Sequence, residues 1–177
     1  MNFKKSIHMK RINIFIASML VLLLVACDSD RDSNPTLKTP TGFVLNTPPY
    51  ASNNTSLLNS TSLELTTTQP DYGYTAAVTY SVQVSLDDVW RDGTEETEST
   101  PGVAATYATL PTTYSTAKLN ASASELARNI VKVAGWEEET DVPENAINIY
   151  LRLQAYLGTG DYPVYSNSVE ISVIPYY

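Results

Sequence analysis

The chain has 177 residues, with 11 Lys and Arg against 19 Asp and Glu, and its formal net charge at pH 7 is −8. Four basic residues and no acidic residue precede Cys27, so the chain from Cys27 onward has a net charge of −12. A chain this acidic, with no basic patch or stripe, would repel a polyphosphate, which excludes nucleic acid as an expected partner.

The N-terminal segment has the organisation of a signal peptide. Four basic residues precede an apolar run over residues 12–26, which is 15 residues long. A permanent membrane-spanning helix is the weaker interpretation, because such a helix needs about 20 apolar residues. The run ends in Leu24-Val25-Ala26-Cys27, which resembles the lipobox of bacterial lipoproteins. This resemblance implies that the signal peptide covers residues 1–26 and that Cys27 becomes the lipid-bearing first residue of the mature chain, anchored stably in a membrane.

Acidic residues crowd the first positions after Cys27, at Asp28, Asp30 and Asp32. This pattern resembles the signal by which lipoproteins of the Bacteroidota are exported through the outer membrane, and it implies a lipid-anchored protein that faces the cell exterior. The alternative is an ordinary solvated charge run. Residues 27–41 are too polar to pack by themselves, and we expect them to form a flexible acidic tether.

Cysteine and histidine usage excludes several kinds of chemistry. With Cys27 lipidated and His8 lost with the signal peptide, the mature chain retains no thiol and no imidazole. Disulfides, catalytic triads or dyads that use His or Cys, and the usual zinc, copper and iron sites are therefore not expected. We expect no metal and no cofactor, which leaves carboxylate chemistry and binding.

Residues 42–177 predict one all-β domain. Alternating or β-branched residues between turn signals predict strands over residues 42–46, 63–69, 78–86, 103–110, 114–119, 145–157 and 168–174. The alternation is clearest in 145–157. We expect two sets of apolar residues to pack against each other, namely Val78, Tyr80, Val82 and Val84 against Ile149, Leu151 and Leu153.

One short helix interrupts the strands. Ser122 and Glu125 have the spacing of a capping box, apolar residues follow at three- and four-residue spacing, and Gly135 stands where a helix ends. The last two strands resemble the final hairpin of an immunoglobulin or fibronectin type III module, on the segments Arg152-Leu153-Gln154-Ala155 and Ser166-Asn167-Ser168-Val169. The expected fold is an immunoglobulin/fibronectin III-like antiparallel β-sandwich with one short helix inserted before that hairpin.

Several segments in this order, behind a lipobox, resemble the N-terminal domain of SusE-type outer-membrane lipoproteins of starch-utilisation systems. They are Asn34-Pro35-Thr36-Leu37, residues 43–48, residues 69–73, residues 78–85, Ser124-Glu125-Leu126-Ala127 and residues 150–156. The resemblance implies a SusE-like domain over residues 42–177. It also implies a surface-exposed accessory protein that holds starch-like polysaccharide near an outer-membrane uptake receptor complex. Family members continue into carbohydrate-binding modules, whereas this chain stops at Tyr177, so no binding residue is carried over.

Two tryptophans are the candidate glycan-binding residues. Trp90 lies in the acidic loop that begins at Asp87, and Trp136 stands beside a glutamate run. Planar aromatic rings can stack on sugar, while the alternative is that both cover the ends of the sandwich as partial core residues. We expect binding of millimolar order at best, about −4 kcal/mol, that depends on one of them.

Two other functions remain open. One is a structural spacer or protein-interaction module without a glycan site, which is the role of this domain in the family. The other is a glycosidase that uses carboxylates from residues 95–98 and 137–141, but it needs two carboxyls roughly 5–10 Å apart in a cleft. Because runs of adjacent acids on loops are usually solvated, we do not expect an enzyme.

Overall fold

The computed structural model describes residues 36–177, of which Leu37–Tyr177 form one compact unit. The described part contains eight strands and one α-helix. They are β1 (Thr55–Ser56), β2 (Ser62–Thr66), β3 (Val78–Ser85), β4 (Tyr107–Tyr114), β5 (Lys118–Ser122), α1 (Ala123–Ala134), β6 (Ile147–Leu157), β7 (Asp161–Tyr165) and β8 (Val169–Ile174). The predicted signal peptide, Cys27 and most of the tether lie outside the described residues, so these assignments and the domain bounds stay predictions.

The strands form two sheets. The larger has the order β1-β8-β6-β3-β4, and β7 pairs with the end of β6 that β8 leaves free. All its pairs are antiparallel except β1 with β8, which is parallel. The smaller sheet consists of β2 and β5. Helix α1 packs against both sheets, and together these elements confirm the all-β sandwich with one short helix.

The core lies on the inward face of the large sheet. The predicted alternation is confirmed, because the two predicted apolar sets lie side by side on neighbouring strands, with Val82 opposite Leu153 and Val84 opposite Leu151. Each of these four side chains is 0% exposed. They join one apolar cluster with Leu65, Leu119 and Leu126 from the smaller sheet and the helix, so the sandwich has a single core.

Helix α1 begins and ends at the predicted residues. Ser122 Oγ accepts a hydrogen bond from the Glu125 amide at 3.4 Å, and Gly135 has the left-handed φ of 69° that favours glycine. The capping box is only half formed, because the Glu125 carboxylate does not return to the start of the helix. It accepts instead from Thr112 Oγ1 at 2.6 Å, which ties the helix to strand β4.

The predicted first strand, over residues 42–46, is not a regular strand. Phe43 and Leu45 make only isolated bridges, with Ser166 and Thr67. The Asn167 side chain accepts from the Leu45 amide at 2.9 Å and donates to its carbonyl oxygen at 3.1 Å. A side-chain amide thus takes the place of a neighbouring strand, and the ladder stops there.

The predicted strands over residues 103–110 and 114–119 are shifted along the chain to become β4 and β5. Pro111, which stands in the gap between the two predicted strands, lies inside β4. It is tolerated because β4 is an edge strand, so the missing N–H leaves no partner unpaired in the sheet. The β3–β4 register also shifts between Ser81 and Gln83, and this bulge takes up the extra residues of β4.

Two further strands carry no clear signal in the sequence. Strand β1 is two residues long and exists through its pairing with Val173 and Ile174 of β8. Strand β7 lies between two predicted strands, in a segment for which no strand was predicted, and it is built around one inward residue, Val164, which is 5% exposed. Both depend on the completed sheet rather than on local preference.

Candidate functional site

The outward face of the large sheet is partly covered by the connection between β3 and β4, residues 86–106. This connection folds back onto the sheet, and its two ends meet at Ser85, which is 0% exposed. Ser85 Oγ lies 3.0 Å from the Val89 carbonyl oxygen and 3.1 Å from the Thr106 carbonyl oxygen. Thr106 Oγ1 in turn donates to the Val89 oxygen at 2.8 Å. The Arg91 amide donates to Thr106 Oγ1 at 2.9 Å, so the backbone is fixed on both sides of Trp90.

Trp90 is thereby held against Arg152, which projects outward from the middle of β6. The guanidinium carbon of Arg152 lies 4.3 Å from the centre of the Trp90 ring and 4.2 Å from that of Tyr165. Tyr107 completes the group at 5.4 Å. We call these four residues the Arg152 cluster. It is a cation held between aromatic faces, an arrangement typical of cation–π stabilisation.

Hydrogen bonds orient each member of the cluster. Arg152 Nε donates to Gln83 Oε1 at 2.7 Å, and Gln83, only 2% exposed, is held in turn by Thr109. The Trp90 indole N–H donates to Asp88 Oδ1 at 2.9 Å. The cluster is therefore fixed by strands β3 and β6 and by the connection that crosses them.

The charges around the cluster are acidic. Tyr107 donates a hydrogen bond to Asp92, and this bond, with burial, raises the pKa of Tyr107 to about 12. Burial lowers the pKa of Arg152, while Asp88 and Asp92 oppose that shift. The ion pair formed among residues 36–177 joins Lys118 and Glu64 instead. Arg152 is thus a half-buried cation without a direct carboxylate partner in the described part.

Trp136 lies elsewhere, directly after the Gly135 cap of helix α1. It is half-buried and packs against the apolar core, and its amide donates to the Val131 carbonyl oxygen at 3.1 Å. Within the described residues, the aromatic contact of Trp90 is with Tyr107, at 5.9 Å between ring centres, and none joins the two tryptophans. The structure does not bring the two candidate residues into one site.

The carboxylates considered for glycosidase chemistry lie on exposed loops. Residues 95–98 lie on one arm and at the turn of a short hairpin that is closed by paired hydrogen bonds between Thr94 and Val103. In residues 137–141, Asp141 Oδ2 accepts from the amides of Glu137 and Glu138 at 2.9 and 3.0 Å. Within residues 36–177, no group of three His, Cys, Asp or Glu side chains is placed to hold a metal.

Three clefts in the part of the chain that the structure describes are lined by neither tryptophan. One, about 490 Å³, lies between residues 139–144 and 175–177. A second, about 390 Å³, is formed by residues 69–75. The third, about 470 Å³, includes Asn148 and Glu170. Since Asn148 has the same outward orientation as Arg152, this third cleft shares a face of β6 with the Arg152 cluster.

Sequence reasoning identified Trp90 but not its partners. Arg152 was noted only as part of segments that resemble known families. The available signal was its position at the centre of a strongly alternating strand, on the face opposite Leu151, where a charged residue needs a partner. The contribution of Tyr107 and Tyr165 had no signal, because their contacts join residues from three separate elements.

Comparison with known proteins places the chain in a family. None of the helices within residues 36–177 has the length and apolar character required to cross a membrane. No solved structure matches the chain. The family model described as SusE outer membrane protein matches residues 29–134, which is more than half of the chain. The chain therefore belongs to the SusE outer membrane protein family, whose members are non-catalytic accessory components of Sus systems in the outer membrane.

Proposed function

We propose that the protein is a surface-exposed, lipid-anchored accessory component of a starch or polysaccharide binding and uptake system. The observation that carries this proposal is the family match over residues 29–134, which begins two residues after Cys27. Membership of the SusE family supports an outer-membrane position next to an uptake receptor complex. The resemblance of Leu24-Val25-Ala26-Cys27 to a lipobox supports attachment by lipid.

The proposed arrangement joins a lipidated Cys27 to the sandwich through the acidic tether. At full extension residues 28–36, which lie between Cys27 and the compact unit, could span roughly 30 Å, enough to lift the sandwich clear of the lipid headgroups. The acidic residues of the tether favour export to the outer leaflet. The sandwich would then stand where extracellular polysaccharide and an uptake receptor meet.

A complementation experiment tests this role. A strain that lacks the native gene would receive the wild-type chain, Cys27→Ala, or the control Ser29→Ala, and uptake of labelled starch fragments would be measured. We expect Cys27→Ala to fail and Ser29→Ala to restore uptake. Mass spectrometry of the purified wild-type protein should show a lipidated Cys27. A free thiol at Cys27, or full uptake by Cys27→Ala, would contradict the proposal.

A second candidate is a structural spacer or protein-interaction module with no glycan site. It is favoured by one observation, that Arg152 covers one ring face of Trp90 while Trp136 packs against the core. Neither tryptophan therefore offers a wholly open platform. If the full chain binds no glycan in calorimetry yet co-purifies with an uptake receptor, the spacer is the correct function.

A further inference from the structure

Arg152 has hydrogen-bond donors that the described structure does not use. A guanidinium group has five N–H donors in a planar fork. The Nε donor of Arg152 is bonded to Gln83, but within residues 36–177 no oxygen accepts from its Nη1 or Nη2 and no carboxylate forms an ion pair with it. Four donors therefore remain for an outside acceptor.

These donors reach solvent. In the described part of the chain, every buried side-chain nitrogen or oxygen atom of a buried or half-buried residue has a hydrogen-bond partner. Arg152 is half-buried, so its unbonded Nη atoms cannot be buried atoms. The guanidinium group thus has two aromatic rings against it, while its unbonded Nη atoms are not fully buried.

The orientation of the guanidinium group is fixed in advance. Trp90 and Tyr165 lie on the guanidinium at 4.3 and 4.2 Å, and the bond to Gln83 sets its rotation. Groups held in this way lose little conformational entropy when a ligand binds. Tyr165 is 40% exposed and its hydroxyl accepts from Gln154 at 3.3 Å, so its own proton remains free to be donated.

The surrounding charge selects a neutral ligand. Asp88 and Asp92 each accept a hydrogen bond from a cluster member and contribute negative charge beside Arg152. An anionic ligand would meet these carboxylates and an acidic domain, whereas uncharged hydroxyl groups would not. Two neighbouring hydroxyl oxygens can each accept from one N–H of a guanidinium, and an exposed tyrosine ring offers apolar contact to a sugar ring.

We propose that the Arg152 cluster is a binding site for a neutral glycan. Arg152 Nη1 and Nη2 donate to adjacent sugar hydroxyls, and Tyr165 contacts the sugar ring. Trp90 holds the arginine instead of serving as the sugar platform itself. This inference rests on the proposed polysaccharide role and adds to it a site, a ligand class and residues.

The site extends along β6. Asn148 lies on the same face, four residues from Arg152, which corresponds to about 14 Å along a strand. It lines the cleft of about 470 Å³ with Glu170 and Ser172. A short oligosaccharide that is bound at Arg152 can continue into this cleft, whose polar side chains match its hydroxyl groups.

The two tryptophans provide an internal readout, because the whole chain contains only Trp90 and Trp136. The full chain in detergent micelles, with nitrogen-15 in its tryptophans, would be titrated with maltoheptaose, cellohexaose and polygalacturonate. We expect one of the neutral glycans to shift the Trp90 indole signal with millimolar saturation. Polygalacturonate should leave it unchanged, and the Trp136 signal should stay in place.

Arg152→Lys keeps the charge and removes the fork, and it should weaken binding at least about 10-fold. Tyr165→Ala should weaken it less, while Arg128→Lys, an exposed arginine on helix α1, should bind as the wild type does. Thermal unfolding would verify that each variant is folded. Should Arg152→Lys lose its fold, Arg152→Gln and Tyr165→Ala would provide the same comparison.

Three results would overturn the site. They are binding by folded Arg152→Lys at wild-type affinity, a shift with polygalacturonate alone, and no Trp90 shift with either neutral glycan. The accessory role is judged separately. Cells that carry Arg152→Lys and take up starch fragments at the wild-type rate would retain that role while lacking this site.

Discussion

The two faces of strand β6 differ in what organises them. On the inward face, Ile149, Leu151 and Leu153 are each 0% exposed and belong to one apolar core. On the outward face, Arg152 is half-buried and organised by Trp90, a residue from a distant connection. The inward face follows from alternation within the strand itself. The outward face acquires its structure only when another part of the chain folds over it.

The comparison also separates two kinds of stabilisation. Apolar burial on the inward face does not depend on protonation. Contacts on the outward face involve a cation, two aspartates and a tyrosine hydroxyl, so they respond to pH and to loss of charge. Substitutions on the two faces should therefore differ in magnitude and in their dependence on solution conditions.

The largest effect should come from the inward face. Leu151→Ala removes a fully buried side chain and leaves a cavity, so we expect the free energy of unfolding to fall by about 2–5 kcal/mol. Denaturant unfolding measures this loss. Leu58→Ala, at a leucine that is 69% exposed, is the matched control and should change stability by less than about 0.5 kcal/mol. If Leu151→Ala changed the stability as little as Leu58→Ala does, strand β6 would face the other way.

Ser85→Ala should cause the second-largest loss of stability. It removes the buried hydroxyl at which the two ends of residues 86–106 meet. The single proton of this hydroxyl serves one of three nearby acceptors, namely Asp87 Oδ1 and the Val89 and Thr106 carbonyl oxygens, and the Val89 oxygen keeps its bond from Thr106 Oγ1. We expect a loss of about 1–3 kcal/mol in the free energy of unfolding. Ser115→Ala, at an exposed serine, should be neutral. An unchanged stability for Ser85→Ala would show that this connection is not pinned through Ser85.

Arg152→Met tests the outward face with little change in the side-chain stem. It removes the charge that lies between Trp90 and Tyr165, and we expect a loss of about 0.5–2 kcal/mol with a changed Trp90 fluorescence. Arg128→Met, on the exposed side of α1, serves as the control. If fluorescence and stability both match the wild type, the cation–π contact does not form in solution.

The smallest effect concerns pH. Because the pKa of Tyr107 is raised from 10.0 to about 12, its contribution to stability is complete below pH 10 and is lost as the pH rises through about 12. Asp92→Ala should return the pKa of Tyr107 toward 10.0. Burial raises the pKa of Tyr50 to about 12 as well. This pKa provides the internal control and should not change in Asp92→Ala. Titration of the tyrosine ring signals by NMR measures both, and an unshifted Tyr107 in Asp92→Ala would contradict the assigned cause.

Local signals predicted much of the fold. Alternation placed Val82, Val84 and Leu151 on the inward face, and Ser122 and Gly135 marked the helix ends, because burial and capping leave a pattern within a few residues. The position of β4 was missed because Pro111 reads as a break unless the strand is known to be an edge. Strand β1 was missed because its two residues pair only with the finished β8.

The candidate site was less predictable. Trp90 could be selected as an amphipathic residue in a loop, and the same reasoning selected Trp136, which lies against the core. What distinguishes them is the contact of Trp90 with Arg152, which joins residues 62 positions apart in the chain. Local periodicity cannot predict such a contact, because it compares only residues that are close in the chain. A charged residue at the centre of an alternating strand is the signal to look for.

Pro111 has a consequence for how copies of the protein meet one another. Proteins that share the plane of a membrane encounter their own copies repeatedly, and an exposed strand edge is a template for pairing between them. Strand β4 is the long outer edge of the large sheet, but Pro111 removes one of its amide donors, the bulge opposite Ser81 breaks its regular spacing, and helix α1 packs against it. These features oppose edge-to-edge pairing between neighbouring copies along β4.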